Sequence, residues 1–177
     1  DDEGKTWRGV EIPGSRGRVH ANILEVEPGK LIALFRSRSA DNIYYSSSDD
    51  WGETWTVPVR TPLPNNNSSI SAVKLQSGAL ALVYNPFRAN DDPEVTVWPR
   101  QRCPVAIALS DDNGKTWPVI RLVEPGDGYI GTANSINNHR YEYPVVMQSA
   151  DGRIHVAYSY YDRRCVKDVV VTESWIR

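Results

Sequence analysis

Three mostly apolar runs each follow a glycine. Leu31, Ala33 and Phe35 come after Gly29, Leu80, Leu82 and Tyr84 after Gly78, and Ile154, Val156 and Tyr158 after Gly152. Each run predicts a strand entered through a tight turn. Another apolar strand is expected before each turn, at 21–26, 70–75 and 144–148. A third is expected after it, at 43–47, 105–109 and 166–171. Long helical periodicity is absent.

The first two of these third strands run straight into one motif. Ser48-Asp49-Asp50-Trp51-Gly52-Glu53-Thr54-Trp55 is repeated as Ser110-Asp111-Asp112-Asn113-Gly114-Lys115-Thr116-Trp117, and Asp2-Glu3-Gly4-Lys5-Thr6-Trp7 is a shortened copy. The shared pattern is Ser-x-Asp-x-Gly-x-Thr-Trp. A short Asp side chain accepts hydrogen bonds from the turn it sits in, Gly supplies positive φ, and Trp covers the hairpin. Asp2, Asp50 and Asp112 are therefore expected to staple hairpins rather than to catalyse.

Each unit then has four antiparallel strands, which is one blade of an all-β propeller. The expected division is the end of one blade at 1–7, closed by Trp7, followed by blades at about 8–60 and 61–122 and a last, incomplete blade at 123–177. About three blades do not close a ring. The expectation is a segment of a six-bladed propeller, whose remaining blades come from missing chain or from a second copy. Because the chain begins inside a motif, its true N-terminus is expected to lie upstream, and its compartment stays open.

Antiparallel order sorts the connections into two ends. The short turns and the repeated motif share one end, while the other collects the long segments at 8–19, 37–42, 61–69, 86–103, 124–143 and 160–165. Long loops on a rigid scaffold are where sites are built. Registration on the glycines, with period-two alternation, brings Arg18, His20, Arg36, Asn67, Ser69, Asn85, Tyr141 and Tyr143 to that end. Loop residues Arg88, Arg102, His139, Arg140, Arg163 and Arg164 surround them. Arginines gathered in a chain of formal charge −2 point to recognition of a carboxylate. Arg36 carries the signal most strongly, since a charge ends an apolar strand there.

That charge gives no reason to expect nucleic acid, and no apolar run approaches a membrane span. Cys103 and Cys165 are read as free thiols. No cluster has metal-ligand spacing, and no cofactor is expected.

The repeated motif resembles the Asp-box, or bacterial neuraminidase repeat, of the sialidase superfamily, and the chain resembles the later three blades of that fold over its whole length. The resemblance implies three carboxylate-binding arginines, a tyrosine nucleophile assisted by a glutamate, and an acid/base aspartate. Arg36, closing Leu34-Phe35-Arg36-Ser37, matches the second arginine, and Arg102, leading towards an Asp-box, the third. Tyr143 matches the nucleophile. His20 stands where the glutamate is expected, while alternation points Glu142 away from Tyr143. The first arginine and the aspartate belong to the other half. Residues 61–69 resemble a sialidase-like branch.

Three readings follow. The first is an exo-acting glycosidase cleaving a terminal acidic sugar, with an acidic oligosaccharide or glycoconjugate as substrate. The alternatives are a lyase on uronate glycans using histidine, tyrosine and arginine, and a non-catalytic glycan-binding propeller.

Overall fold

The computed structural model describes residues 3–99, 101–125, 140–160 and 163–177. Three separate antiparallel sheets follow one another along the chain. The first holds β1 (Arg18–Glu27), β2 (Lys30–Ser37), β3 (Asn42–Ser48) and β4 (Val59–Pro64) in sequence order. The second repeats this with β5 (Ser71–Lys74), β6 (Leu80–Tyr84), β7 (Val105–Ser110) and β8 (Val119–Glu124). The third has β9 (Val145–Gln148), β10 (Ile154–Tyr160) and β11 (Cys165–Val171). A short helix, α1 (Glu173–Ile176), then buries Ile176 against the second sheet.

The all-β architecture of propeller-type sheets is as the strand pattern predicts, but two boundaries differ. Residues 61–64, expected in a loop, extend β4, so the division at 60/61 falls inside a strand. Likewise β8 runs on to Glu124, past 122. Both outer strands are lengthened by pairing with β3 and β7, which apolar patterning alone does not reveal.

The core lies between sheets. Along β6, Leu80, Leu82 and Tyr84 pack towards the first sheet, while Ala81 and Val83 pack towards the third. A strand covered on both faces needs apolar residues at every position, which is why β6 and β7 are uniformly buried. Each such Leu or Ile contributes roughly 1.5–3 kcal/mol by leaving water.

The seams between the inner strands are tied through side chains. Asn22 Nδ2 donates to Ile70 O at 3.0 Å and its Oδ1 accepts from Ala72 N at 3.1 Å. Val146 N donates to Ser71 Oγ at 3.2 Å.

The Asp-boxes are near-copies. Thr54 N donates to Asp50 Oδ1 at 2.9 Å and Thr116 N to Asp112 Oδ1 at 2.8 Å. Gly52 N and Gly114 N each donate to the box serine at 2.9 Å. Trp55, Trp117 and Trp7 all turn the indole N–H onto the box glycine carbonyl, at 3.0, 3.1 and 2.9 Å. The hydrogen bonds hold the half-buried Asp50 carboxyl at a pKa of about 2. Asp50 and Asp112 are staples, as expected; Asp2 lies outside the described residues. Trp7 is 91% exposed, with no strand of the described residues beneath it, whereas Trp117 is 5% exposed. Both cysteines are free thiols, Cys103 buried and Cys165 exposed.

Candidate active site

At the end opposite the boxes, a cleft of about 250 Å³ is lined by Arg36, Asn67, Ser69, Arg102, Glu142 and Tyr143, together with Ser68, Trp98 and Arg163. Its parts come from β2 and from segments that lead into or out of the other two sheets. Arg36 lies near the end of β2 and is 8% exposed. Its Nε donates to Asn67 Oδ1 at 2.8 Å, which leaves the terminal nitrogens as a fork. Arg102 enters from the segment before β7. It spends one terminal nitrogen on the carbonyls of Pro99, Gln101 (3.0 Å) and Asn66 (3.4 Å). Among the described residues neither arginine has a carboxylate within ion-pair distance. Burial, and then each arginine's cationic neighbours, pull both guanidinium groups below the usual arginine range. The Tyr143 phenol and, for Arg102, the Glu142 carboxylate act in the opposite sense. Such a pair favours an arriving anion.

Tyr143 is 54% exposed and opens onto this cleft. Its φ of 54° lies in the left-handed region, rare for a non-glycine residue. His20, at the matching place in the first sheet, has φ 52° and sits in a bulge between Val19 and Asn22. Bulges re-aim side chains beside active sites. The left-handed backbone at both places also undoes period-two alternation, with two consequences. Glu142, expected to point away from Tyr143, lines the same cleft and pairs with Arg163. Arg18, expected beside Arg36, instead hydrogen-bonds Ser37 and Ser39 and lines a neighbouring cleft.

His20 and Tyr143 share a shallower cleft with Ser69, whose Oγ is 3.2 Å from His20 Nδ1. Burial, then the charges of Arg36 and Arg38, pull the imidazole pKa below its ordinary value. The ring is accordingly neutral near pH 7 and able to take a proton.

A family model described as a BNR repeat-like domain matches residues 1–156. The chain belongs to the BNR repeat-like family. A sialidase of Micromonospora viridifaciens is 27% identical over 152 residues, covering 80% of this chain and 22% of that protein. The structure of the Hadza microbial sialidase Hz136 superposes with a TM-score of 0.72 at 22% identity, over 99% of this chain and 31% of that one. The intramolecular trans-sialidase of Ruminococcus gnavus, solved with oseltamivir carboxylate, gives 0.69 at 21% identity over 99% and 37%. This BNR repeat-like chain thus has the sialidase propeller fold and spans 22–37% of the length of these relatives.

Other residues expected at the mouth of this BNR repeat-like segment hold it in shape. Asn85 is fully buried, its amide donating to Arg102 O (2.9 Å), Pro104 O (2.8 Å) and Tyr141 O (3.2 Å). It ties the Arg102 segment to the Tyr143 segment. Tyr141, also fully buried, stacks on Tyr160 with ring centroids 5.6 Å apart. Arg88 pairs with Asp91 at 3.2 Å and does not line the cleft. His139 lies outside the described residues. Trp98, absent from the residues that registration brings to the mouth, lines the cleft with its ring centroid 5.6 Å from the Arg36 guanidinium. It sits in an aperiodic loop, where the sequence carries no signal for it.

Proposed function

We propose that this chain supplies the carboxylate clamp and the nucleophile of an exo-acting glycosidase that removes a terminal acidic sugar, a sialidase in the simplest case. One observation carries the reading: the buried Arg36 and the half-buried Arg102, neither ion-paired among the described residues, line one cleft with an exposed tyrosine. Arg36 holds the sugar carboxylate through its terminal fork, and Arg102 through the terminal nitrogen not spent on backbone carbonyls. Tyr143 attacks the anomeric carbon, the bond to the leaving oxygen breaks through an oxocarbenium-like transition state, and a tyrosyl–sugar intermediate results. Neutral His20 accepts the phenolic proton, and Glu142, held by Arg163, competes for that role. The acid that protonates the leaving group and a further arginine belong outside this chain.

The test is mass spectrometry of products formed by the complete protein from sialylated and uronate-terminated oligosaccharides in heavy-oxygen water. Release of the terminal acidic sugar with one labelled oxygen supports hydrolysis. An anhydro sugar keeps the clamp and nucleophile but replaces water by one of the sugar's own hydroxyls. An unsaturated uronate overturns the proposal in favour of elimination, and binding without turnover overturns it in favour of a lectin-like propeller.

A further inference from the structure

Beside the first cleft lies a second, of about 540 Å³, whose lining includes Gly14, Arg16, Arg18, Arg38, Ser39 and Glu94. Three arginines face one carboxylate there, so the cleft is positive in a chain of formal charge −2. Its walls are tied together: Arg38 N donates to Gly17 O at 3.0 Å, Val97 N to Arg38 O at 2.9 Å, and Ser39 Oγ to Pro93 O at 3.0 Å.

Arg18 is the most firmly held of the three. Its guanidinium carbon stands 3.6 Å from the centroid of the Tyr44 ring. One terminal nitrogen donates to Ser37 Oγ at 3.0 Å and to Ser39 Oγ at 3.2 Å, while the other nitrogens have no acceptor among the described residues. Ser37 and Tyr44 in turn donate to the fully buried Asp41, Tyr44 at 2.7 Å. Asp41 thus stabilises the cation from behind, through two hydroxyl groups, without occupying its outer edge. A guanidinium flattened on a ring and held along one edge keeps its remaining edge ordered for an anion, so little entropy is lost on binding.

The two clefts are joined at one ring. Arg36 and Arg38, two apart at the end of β2, each place the guanidinium carbon 5.6 Å from the Trp98 centroid. Trp98 lines the first cleft and Arg38 the second. An aromatic ring between two cationic pockets is a platform for a sugar ring carrying an anionic substituent on either side.

We propose that the second cleft binds another anionic group, a carboxylate or a sulfate ester, on the next sugar of the same glycan whose terminal acidic sugar occupies the first. The proposal rests on the reading of the first cleft given above. It makes the protein selective for glycans with neighbouring negative charges.

The complete protein is titrated calorimetrically, at fixed ionic strength, with 3′-sialyllactose, its homologue carrying a second α2,8-linked sialic acid, and a sulfated sialyllactose. The same titrations are run on an Arg16→Ala/Arg38→Ala variant; both side chains are solvent-exposed, and Arg16 lines the second cleft alone. One doubly anionic probe is expected to bind about tenfold more tightly than 3′-sialyllactose, with that ratio falling towards one in the variant. The probe that gains identifies the group. Equal affinities, or a ratio that survives in the variant, overturn the proposal. If no sialylated probe binds, the reading of the first cleft falls separately. The second cleft is then judged with tetragalacturonate: binding lost in the variant upholds it, and binding unchanged or absent in the wild type overturns it.

Discussion

The two ends of the same sheets obey different rules. At one end the Asp-boxes at 48–55 and 110–117 repeat their hydrogen bonds to within 0.1 Å in the Thr-to-Asp and indole-to-glycine contacts. At the other end the side chains do not repeat: the matching places in the three sheets hold His20, Ser69 and Tyr143. Repetition marks what a sheet needs to close its own hairpin. Departure from it, on the same scaffold, marks what the molecule does to something else. Carboxylates divide the same way. Asp50 is saturated by Ser48 and Thr54, whereas Glu142 lies in the cleft with the tyrosine.

The sharpest test of that division is a pair of substitutions with opposite readouts. Tyr143→Phe is expected to lower turnover by at least ~10³-fold while leaving the melting temperature in place, because its side chain is half exposed. Trp117→Ala should do the reverse, costing about 3–5 kcal/mol in denaturant unfolding while the folded fraction keeps its specific activity. Loss of activity per folded molecule there would erase the distinction between the ends. Next comes His20→Gln, with an expected ~10²-fold loss. A histidine pKa below its ordinary 6.5 makes the base competent above that lowered value. The acid limb of kcat/KM should therefore lie below pH 6.5 and vanish in the variant; a limb that persists would transfer the role to Glu142.

Smaller effects belong to the box end alone. Gly29 has φ 77°, and an added Cβ would meet Trp51 Nε1 at 2.9 Å, so Gly29→Ala should cost about 1–2 kcal/mol without touching KM. The mildest is the pH dependence of the Asp50 staple. Its folded pKa is depressed from 3.8 to about 2, so its contribution is complete above pH 4 and is lost as pH falls through about 2. Comparing acid unfolding of wild type and Asp50→Asn should show the two curves converging over that window.

The fold was legible because three glycine-led strands and two full boxes state it redundantly. That Arg36, Arg102 and Tyr143 meet in one cleft was legible because an apolar strand or a box fixes their register. What stayed hidden followed from broken alternation. Left-handed residues at His20 and Tyr143 turn Arg18 out of the cleft and Glu142 into it, and no period-two count survives such a turn. The Glu142–Arg163 pair joins residues on either side of the β9–β10 hairpin and carries no local signature. Asn85, placed at the mouth by its register, proves to be a brace because its amide finds three carbonyls.

The inner strands meet along seams stitched by side chains such as Asn22 and Ser71 rather than by a shared backbone ladder. These seams are perforations in an otherwise continuous fabric. Under tension each sheet should tear away whole, and in a split-gene experiment each is a natural cassette. Arg36 travels with the first cassette, Arg102 with the second, and Tyr143 with the third. No single cassette carries two of these groups, so enzymatic output would register correct reassembly as an AND gate registers its inputs.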